Sequence, residues 1–212
     1  MFGTHDLALF VLSGVLLAIA PGADSLYVLT RSVTRGVSVG IRAALGIGLG
    51  CFVHIACAAL GLSAILASSA TAFTVVKWVG AAYLVYMGVS MLRQRRGPAV
   101  TVSQTGLPAV SMAAVFWQGF LTNVLNPKVA LFFLAFVPQF IDAESPTKVQ
   151  AFLLLGVIFN CLGTAWNLFV AWAASLLANR FGPATRVGSW FNRSLGALFI
   201  ALGVRLGLAS RA

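Results

Sequence analysis

Asp24 is an acidic residue set inside an otherwise apolar run that begins at Leu7, three residues past Pro21. Lys128, one residue past Pro127, is the obvious opposite charge, and it too sits in an apolar run. Proline removes a backbone donor and pushes the residue before it out of the helical region, so each proline is expected to break its helix. Inside a bilayer such a break persists only where protein groups or water satisfy the freed carbonyls. A helix-start signal follows each one: Asp24-Ser25 past Pro21-Gly22, and Asn126 as N-cap with Pro127 at the first helical position. Helix N-termini exposed at mid-membrane offer free N–H groups and partial positive charge, a setting suited to a carboxylate. The expected substrate-binding set is therefore Pro21, Gly22, Asp24, Ser25, Asn123, Asn126, Pro127 and Lys128.

Two readings of the charges stay open. In one, Asp24 lies near an ammonium or a transported proton and Lys128 near a carboxylate. In the other, Asp24 only caps its half-helix and neutralises Lys128 as a structural pair. Ionisable groups within a membrane mark function by default, which favours the first; proton carriage further requires that the pair can separate. His54 is the second candidate for proton coupling, against a role as a hydrogen-bonded packing residue. It continues a four-residue spacing of Gly46, Gly50 and Ala58, a small-residue face on which another helix could pack closely. Two polar stripes, Gln118, Thr122 and Asn126 with Asn123 beside them, and Gly156, Asn160, Thr164 and Asn167, can line a pathway or bond helix to helix. Gln118, Thr122, Asn160, Thr164 and Asn167 are the candidates for pathway lining.

Other chemistries fit less well. A Ser25, His54, Asp24 triad has no support in spacing, and no enzymatic activity is expected. Cys51, Cys57 and Cys161 are odd in number, without Cys-x-x-Cys spacing, so neither a disulfide framework nor a zinc site is expected. A thiol-disulfide electron carrier would need paired cysteines at corresponding positions of two halves, whereas Cys51 and Cys161 read as lying away from both breaks. One Asp and one His within the spans are too few for a metal carrier, and no cofactor is expected.

The elements that hold these residues follow from composition. Of 212 residues 60% are apolar and 8% charged, with a formal balance of +10, whereas a water-soluble domain carries about 25% charged residues. The basic residues are scattered between apolar runs and form no patch for nucleic acid. A bilayer core about 30 Å thick needs about 20 apolar residues per helix. Six stretches come near that length: Leu7 to Thr30, Ala43 to Leu66, Ala70 to Leu92, Ser111 to Val137, Gln150 to Ala178 and Gly188 to Leu208. An embedded Asp24 costs about 2.5–3.5 kcal/mol, which the Leu, Ile, Val and Phe of its span outweigh at about 0.3–0.6 kcal/mol each. Ala18-Ile19-Ala20 resembles a signal-peptidase site, but Met1 to Asp6 lacks Lys and Arg and Pro21 follows the candidate cut, so the segment is kept as a first span.

Basic residues alternate loop by loop, with Arg31, Arg35 and Arg42, then Arg93, Arg95 and Arg96, then Arg180, Arg186 and Arg193 in the first, third and fifth connections. Those connections are expected to be cytoplasmic and both termini to face outward. Trp117, Trp166, Trp172 and Trp190 read as interface anchors. Residues 93–110 read as a flexible cytoplasmic linker between repeat one, about 1–95, and repeat two, about 111–212, within a single transmembrane transporter domain. Lys77-Trp78-Val79-Gly80-Ala81-Ala82-Tyr83-Leu84 resembles Arg193-Ser194-Leu195-Gly196-Ala197-Leu198-Phe199-Ile200, and Pro21 and Pro127 lie 106 residues apart, half the chain. Three spans per half force opposite insertion, so the expected fold is all-α: six transmembrane helices as two inverted three-helix repeats, with helices 1 and 4 broken at Pro21 and Pro127.

At Pro21-Gly22-Ala23-Asp24, Asn126-Pro127-Lys128 and the Lys77 to Leu84 segment the chain resembles the lysine exporter (LysE) superfamily, in its homoserine/threonine resistance (RhtB) branch. The likeness extends to Gln118-Gly119-Phe120, Phe132-Phe133 and Pro138-Gln139-Phe140. Where that family has Pro-Gly-Pro in its first span, Ala23 replaces the second proline here. The resemblance implies a bacterial inner-membrane secondary transporter that exports amino acids, driven by the proton gradient as an antiporter. A small neutral cargo such as threonine or homoserine is favoured because Asp24 and Lys128 balance, leaving no spare carboxylate for a cationic side chain; basic amino acids or another small metabolite are the alternatives. The expected partners are this amino-acid-like substrate, protons and the lipid bilayer, with no nucleic acid, and a homo-oligomer is left open.

Overall fold

The computed structural model describes residues 2–62, 111–142 and 144–181, with single helical positions at 71, 74, 75, 78, 82, 85, 86, 89, 200 and 204. Most of the expected third and sixth spans, the linker 93–110, and Lys77, Trp190 and Arg193 lie outside the described residues. Among the described residues the elements are helical, and extended backbone pairs at one antiparallel bridge, Thr4 with Ile141.

The first pair of helices is α1, Leu7–Ile19, and α2, Ala23–Arg35, bent by 50°. Ala20 adopts φ −57° and ψ 123°, the extended setting that a following proline imposes, and Gly22 is fully extended. A second break follows α4, Met112–Val124: α5, Pro127–Leu131, opens a segment, Pro127–Phe140, bent by 42° from α4, with Asn126 at ψ 107° before Pro127. Past α5 the backbone widens into a π turn, Phe132–Phe136, and tightens into a 3₁₀ turn, Val137–Phe140, so beyond the break at Pro127 the segment changes helix type twice more. Between the pairs runs α3, Val37–Cys57, with a π turn to Leu62, and α6, Lys148–Phe181, completes the set. Among the described residues Val37–Gly61 and Lys148–Ala178 are long and apolar enough to cross a membrane, and each bent pair passes the same test if taken as one broken span.

Two sequence expectations about element ends are corrected. Arg31, Arg35 and Arg42 do not form a loop: the first two lie in α2, the third in α3, and Gly36 joins the helices at φ 88°. Arginine is a good helix former, so these helices run past their apolar stretches until a glycine reverses the backbone. Asp24 does not cap α2 either, since the N-cap is Gly22 and no side chain bonds the free N–H groups there.

Close approach of α3 and α4 forms the centre. A Cβ on Gly46 would run into the Phe116 carbonyl, one on Gly50 would lie 2.6 Å from the Phe120 oxygen, and one on Gly119 2.5 Å from the Ala43 oxygen. The four-residue spacing of Gly46 and Gly50 thus serves backbone contact between helices. An aromatic cluster fastens the segment after the second break, with Phe132 stacked on Phe159 at 4.3 Å between centroids and Phe10 edge-on to Phe140 at 5.2 Å. Leu12, Leu45, Phe52, Leu153 and Trp172 turn outward.

Candidate substrate site at the two helix breaks

A proline leaves the carbonyl four residues earlier without its helical donor. For Pro21 that carbonyl belongs to Leu17, and for Pro127 to Asn123. Lys128 Nζ donates to the Leu17 oxygen at 2.6 Å and to the Ala20 oxygen at 2.7 Å. A cation at these last carbonyls of α1 also meets the negative end of the helix dipole. The Asn123 carbonyl accepts the Asn126 N–H at 2.9 Å and lies 2.9 Å from His54 Nε2. A carbonyl only accepts, so His54 carries a proton on Nε2 in this arrangement. Its ring lies flat against Phe133, with 9° between the planes.

Asp24 points across to the second break, where its Oδ2 accepts from Asn123 Nδ2 at 2.8 Å. Because the carboxylate accepts, that bond fixes which way the Asn123 amide is turned. Asn126 Oδ1 accepts the Lys128 backbone N–H at 3.0 Å, the capping role its position before Pro127 implies. Each break is therefore held by a residue that follows or precedes the other.

Asp24 and Lys128 do not form an ion pair. Those among the described residues join His5 to Asp6 at 3.2 Å and His5 to Asp142 at 4.0 Å. Of the two readings the sequence leaves open, direct contact between the two is not the arrangement seen here: the carbonyls of α1 take the lysine and Asn123 takes the aspartate. Among the described residues three buried carboxylate or amide oxygens are left without a partner, Oδ1 of Asp24, of Asn123 and of Asn167, all from residues that line one cavity. Lys128, with two of its three N–H groups engaged, keeps one to offer.

These groups surround a cavity of about 50 Å³, enough for a few waters. Of the expected residues, Gly22, Asp24, Ser25, Asn123, Asn126, Lys128, Asn160, Thr164 and Asn167 line it. Pro21, Pro127 and His54 do not line it. Gln118 and Thr122 do not line it: Gln118 Oε1 accepts from Arg31 Nη2 at 2.8 Å and Tyr27 O–H at 3.2 Å, and Thr122 donates to the Gln118 carbonyl at 2.7 Å. Gly119 takes the α3-facing side of α4, which turns this stripe toward α2 instead. On α6, Asn160 Nδ2 also donates to the Gly48 carbonyl at 3.1 Å, so that stripe bonds helices and lines the cavity together.

Sequence reasoning missed the apolar lining, Leu17, Ala18, Ile47, Val129 and Phe159, and it placed Cys51 away from the breaks although Cys51 lines the cavity. Cys51 follows Ile47 by one turn of α3, and both face the cavity. Its thiol is free, as are those of Cys57 and Cys161.

Apolar helices, two pairs of them bent, around a cavity that gathers the buried polar side chains fit a multi-pass membrane protein. The chain belongs to the LysE family of translocators, transport proteins rather than enzymes: the family profile described as LysE type translocator matches residues 15–210. An uncharacterized membrane protein of Pseudomonas aeruginosa is 35% identical over 98% of this chain and 97% of its own. The leucine efflux protein of Salmonella typhimurium is 26% identical, over 97% of this chain and 96% of its own. A homoserine/homoserine lactone efflux protein of the same species is 29% identical, over 96% of each chain. No solved structure matches the chain significantly.

Proposed function

We propose that the protein is a secondary transporter that exports small neutral amino acids, such as threonine or homoserine, by proton antiport across the bacterial inner membrane. Its zwitterionic cargo would sit between the breaks, the ammonium on Oδ1 of Asp24, Asn123 and Asn167, the carboxylate on the remaining N–H of Lys128 and the free N–H groups at the start of α2. The observation that carries this reading is the set of three unpartnered buried acceptors beside a lysine with one free donor. A buried polar atom without a partner is costly, and a group with several N–H donors would relieve all three.

Six spans in two inverted repeats, broken at Pro21 and Pro127 and with both termini outside, accommodate this mechanism within one domain. One repeat rocks against the other about the fixed site, exposing it to either side in turn. The efflux of leucine and of homoserine by the named relatives supports an uncharged cargo, as does a lining with one carboxylate and one lysine.

Reconstitution tests the proposal. Vesicles holding the protein and loaded with radiolabelled threonine, homoserine, leucine or lysine should release the neutral amino acids, faster with an inward proton gradient. Asp24→Asn should abolish that release while the protein remains in the membrane. Release that ignores the gradient removes antiport, and release of none of the four removes amino-acid export.

A further inference from the structure

Gly163 lies on α6 among the cavity-lining residues Asn160, Thr164 and Asn167. Two other glycines that face α6 or lie on it are held by their neighbours: a Cβ on Gly48 would come 2.9 Å from Thr164 Oγ1, and one on Gly156 2.7 Å from Ile55 Cγ1. A Cβ built on Gly163 meets nothing within 4 Å among the described residues. Its backbone is ordinary α-helix, so no left-handed conformation requires glycine either. Glycine weakens a helix interior relative to alanine, and among the described residues neither packing nor dihedral angles compensate. What its missing side chain leaves among the described residues is space, in a lining to which Leu17, Ala18 and Phe159 contribute apolar surface.

We infer that Gly163 sets the upper size of the cargo side chain. The inference rests on the amino-acid site proposed above: with the charged ends held at Asp24 and Lys128, the side chain needs an uncharged recess, and position 163 is where one additional carbon would fill it. Ala18 borders the same cavity and also an apolar groove formed with Val15, Ile19, Leu162, Trp166 and Phe169, on the seam between α1 and α6.

The test is a flux ratio. Wild type, Gly163→Ala and Gly163→Leu are reconstituted into vesicles loaded with equal radiolabelled alanine and leucine, and the ratio of leucine to alanine released is measured. One methylene in a tight apolar pocket is worth roughly 10- to 200-fold in discrimination, so the ratio should fall about 10-fold or more with Gly163→Leu and by a smaller step with Gly163→Ala. A ratio that is the same in all three, with wild type exporting both amino acids, overturns the inference and leaves the proposed function standing. Release of neither amino acid by wild type removes the proposed function and this inference with it. Should Gly163→Leu fail to accumulate, Gly163→Ala decides the question by the same ratio.

Discussion

The side-chain nitrogen of Lys128 lies 2.6 Å from the carbonyl oxygen of Leu17, the carbonyl that Pro21 leaves without a helical partner. A residue just past the second break thus completes the first, and Asn123, just before the second, binds Asp24 just past the first. Two weaknesses of the backbone are made into one junction, and the polar atoms left over at that junction face the cavity. Moving either half against the other must exchange these bonds for new ones.

Lys128→Met should remove two donors from the end of α1 and leave the Leu17 and Ala20 carbonyls bare, at about 1–3 kcal/mol for each group. The expected result is a lower midpoint of thermal unfolding in detergent and loss of export. Lys128→Arg, which retains charge and donors, should recover the midpoint more fully than the export rate, because its fork cannot reproduce the point-like placement of the ammonium.

His54 donates to the Asn123 carbonyl, so its contribution in this arrangement is a hydrogen bond to the helix end. His54→Gln keeps a donor and should retain export driven by a pH gradient within a few-fold of wild type, whereas His54→Leu should lower it about tenfold, as a lost hydrogen bond of about 1.4 kcal/mol would. Flux measured with and without the gradient separates this from a proton relay, in which glutamine would abolish the response to pH.

The two prolines and the Asn126 cap were legible because their consequences are local: a missing N–H and a side chain two residues from its acceptor. The small-residue face of α3 was legible because four-residue spacing is a property of one helix. The bond from Lys128 to Leu17 was not, since it joins positions 111 residues apart and depends on how two bent pairs are laid together. Gln118 shows the same limit. It shares a helical stripe with Asn126, but the break between them turns the two faces in different directions, and Arg31 and Tyr27 claim it. Cys51 looked remote from both breaks along the chain and lines the cavity between them.

Gly46→Ala should destabilise the protein, because its Cβ would meet the Phe116 backbone, which has no flexible end to withdraw. Forcing the two helices apart should cost about 1–3 kcal/mol. Gly163→Ala adds the same methyl to open space and should not lower stability. The unfolding midpoints of the two variants in one detergent provide the comparison.

Gly3 stands at φ 69°, where its carbonyl accepts the Asp142 N–H at 2.8 Å beside the Thr4–Ile141 bridge. Gly3→Ala would incur about 1–2 kcal/mol for the left-handed backbone and would press its Cβ into Ser145. This strap between the start of the chain and the segment before α6 should then open, seen as faster amide hydrogen exchange at Asp142.

Binding of a zwitterion and its two half-charged analogues tests the junction most directly. Leucine, 2-hydroxyisocaproate, which lacks the ammonium, and leucine methyl ester, which lacks the carboxylate, are titrated against the purified protein and against Asp24→Asn. The account predicts that each analogue binds wild type about tenfold or more weakly than leucine, and that Asp24→Asn weakens leucine while leaving the hydroxy acid nearly unaffected. Equal binding of all three ligands, or leucine binding that does not change in Asp24→Asn, would contradict it.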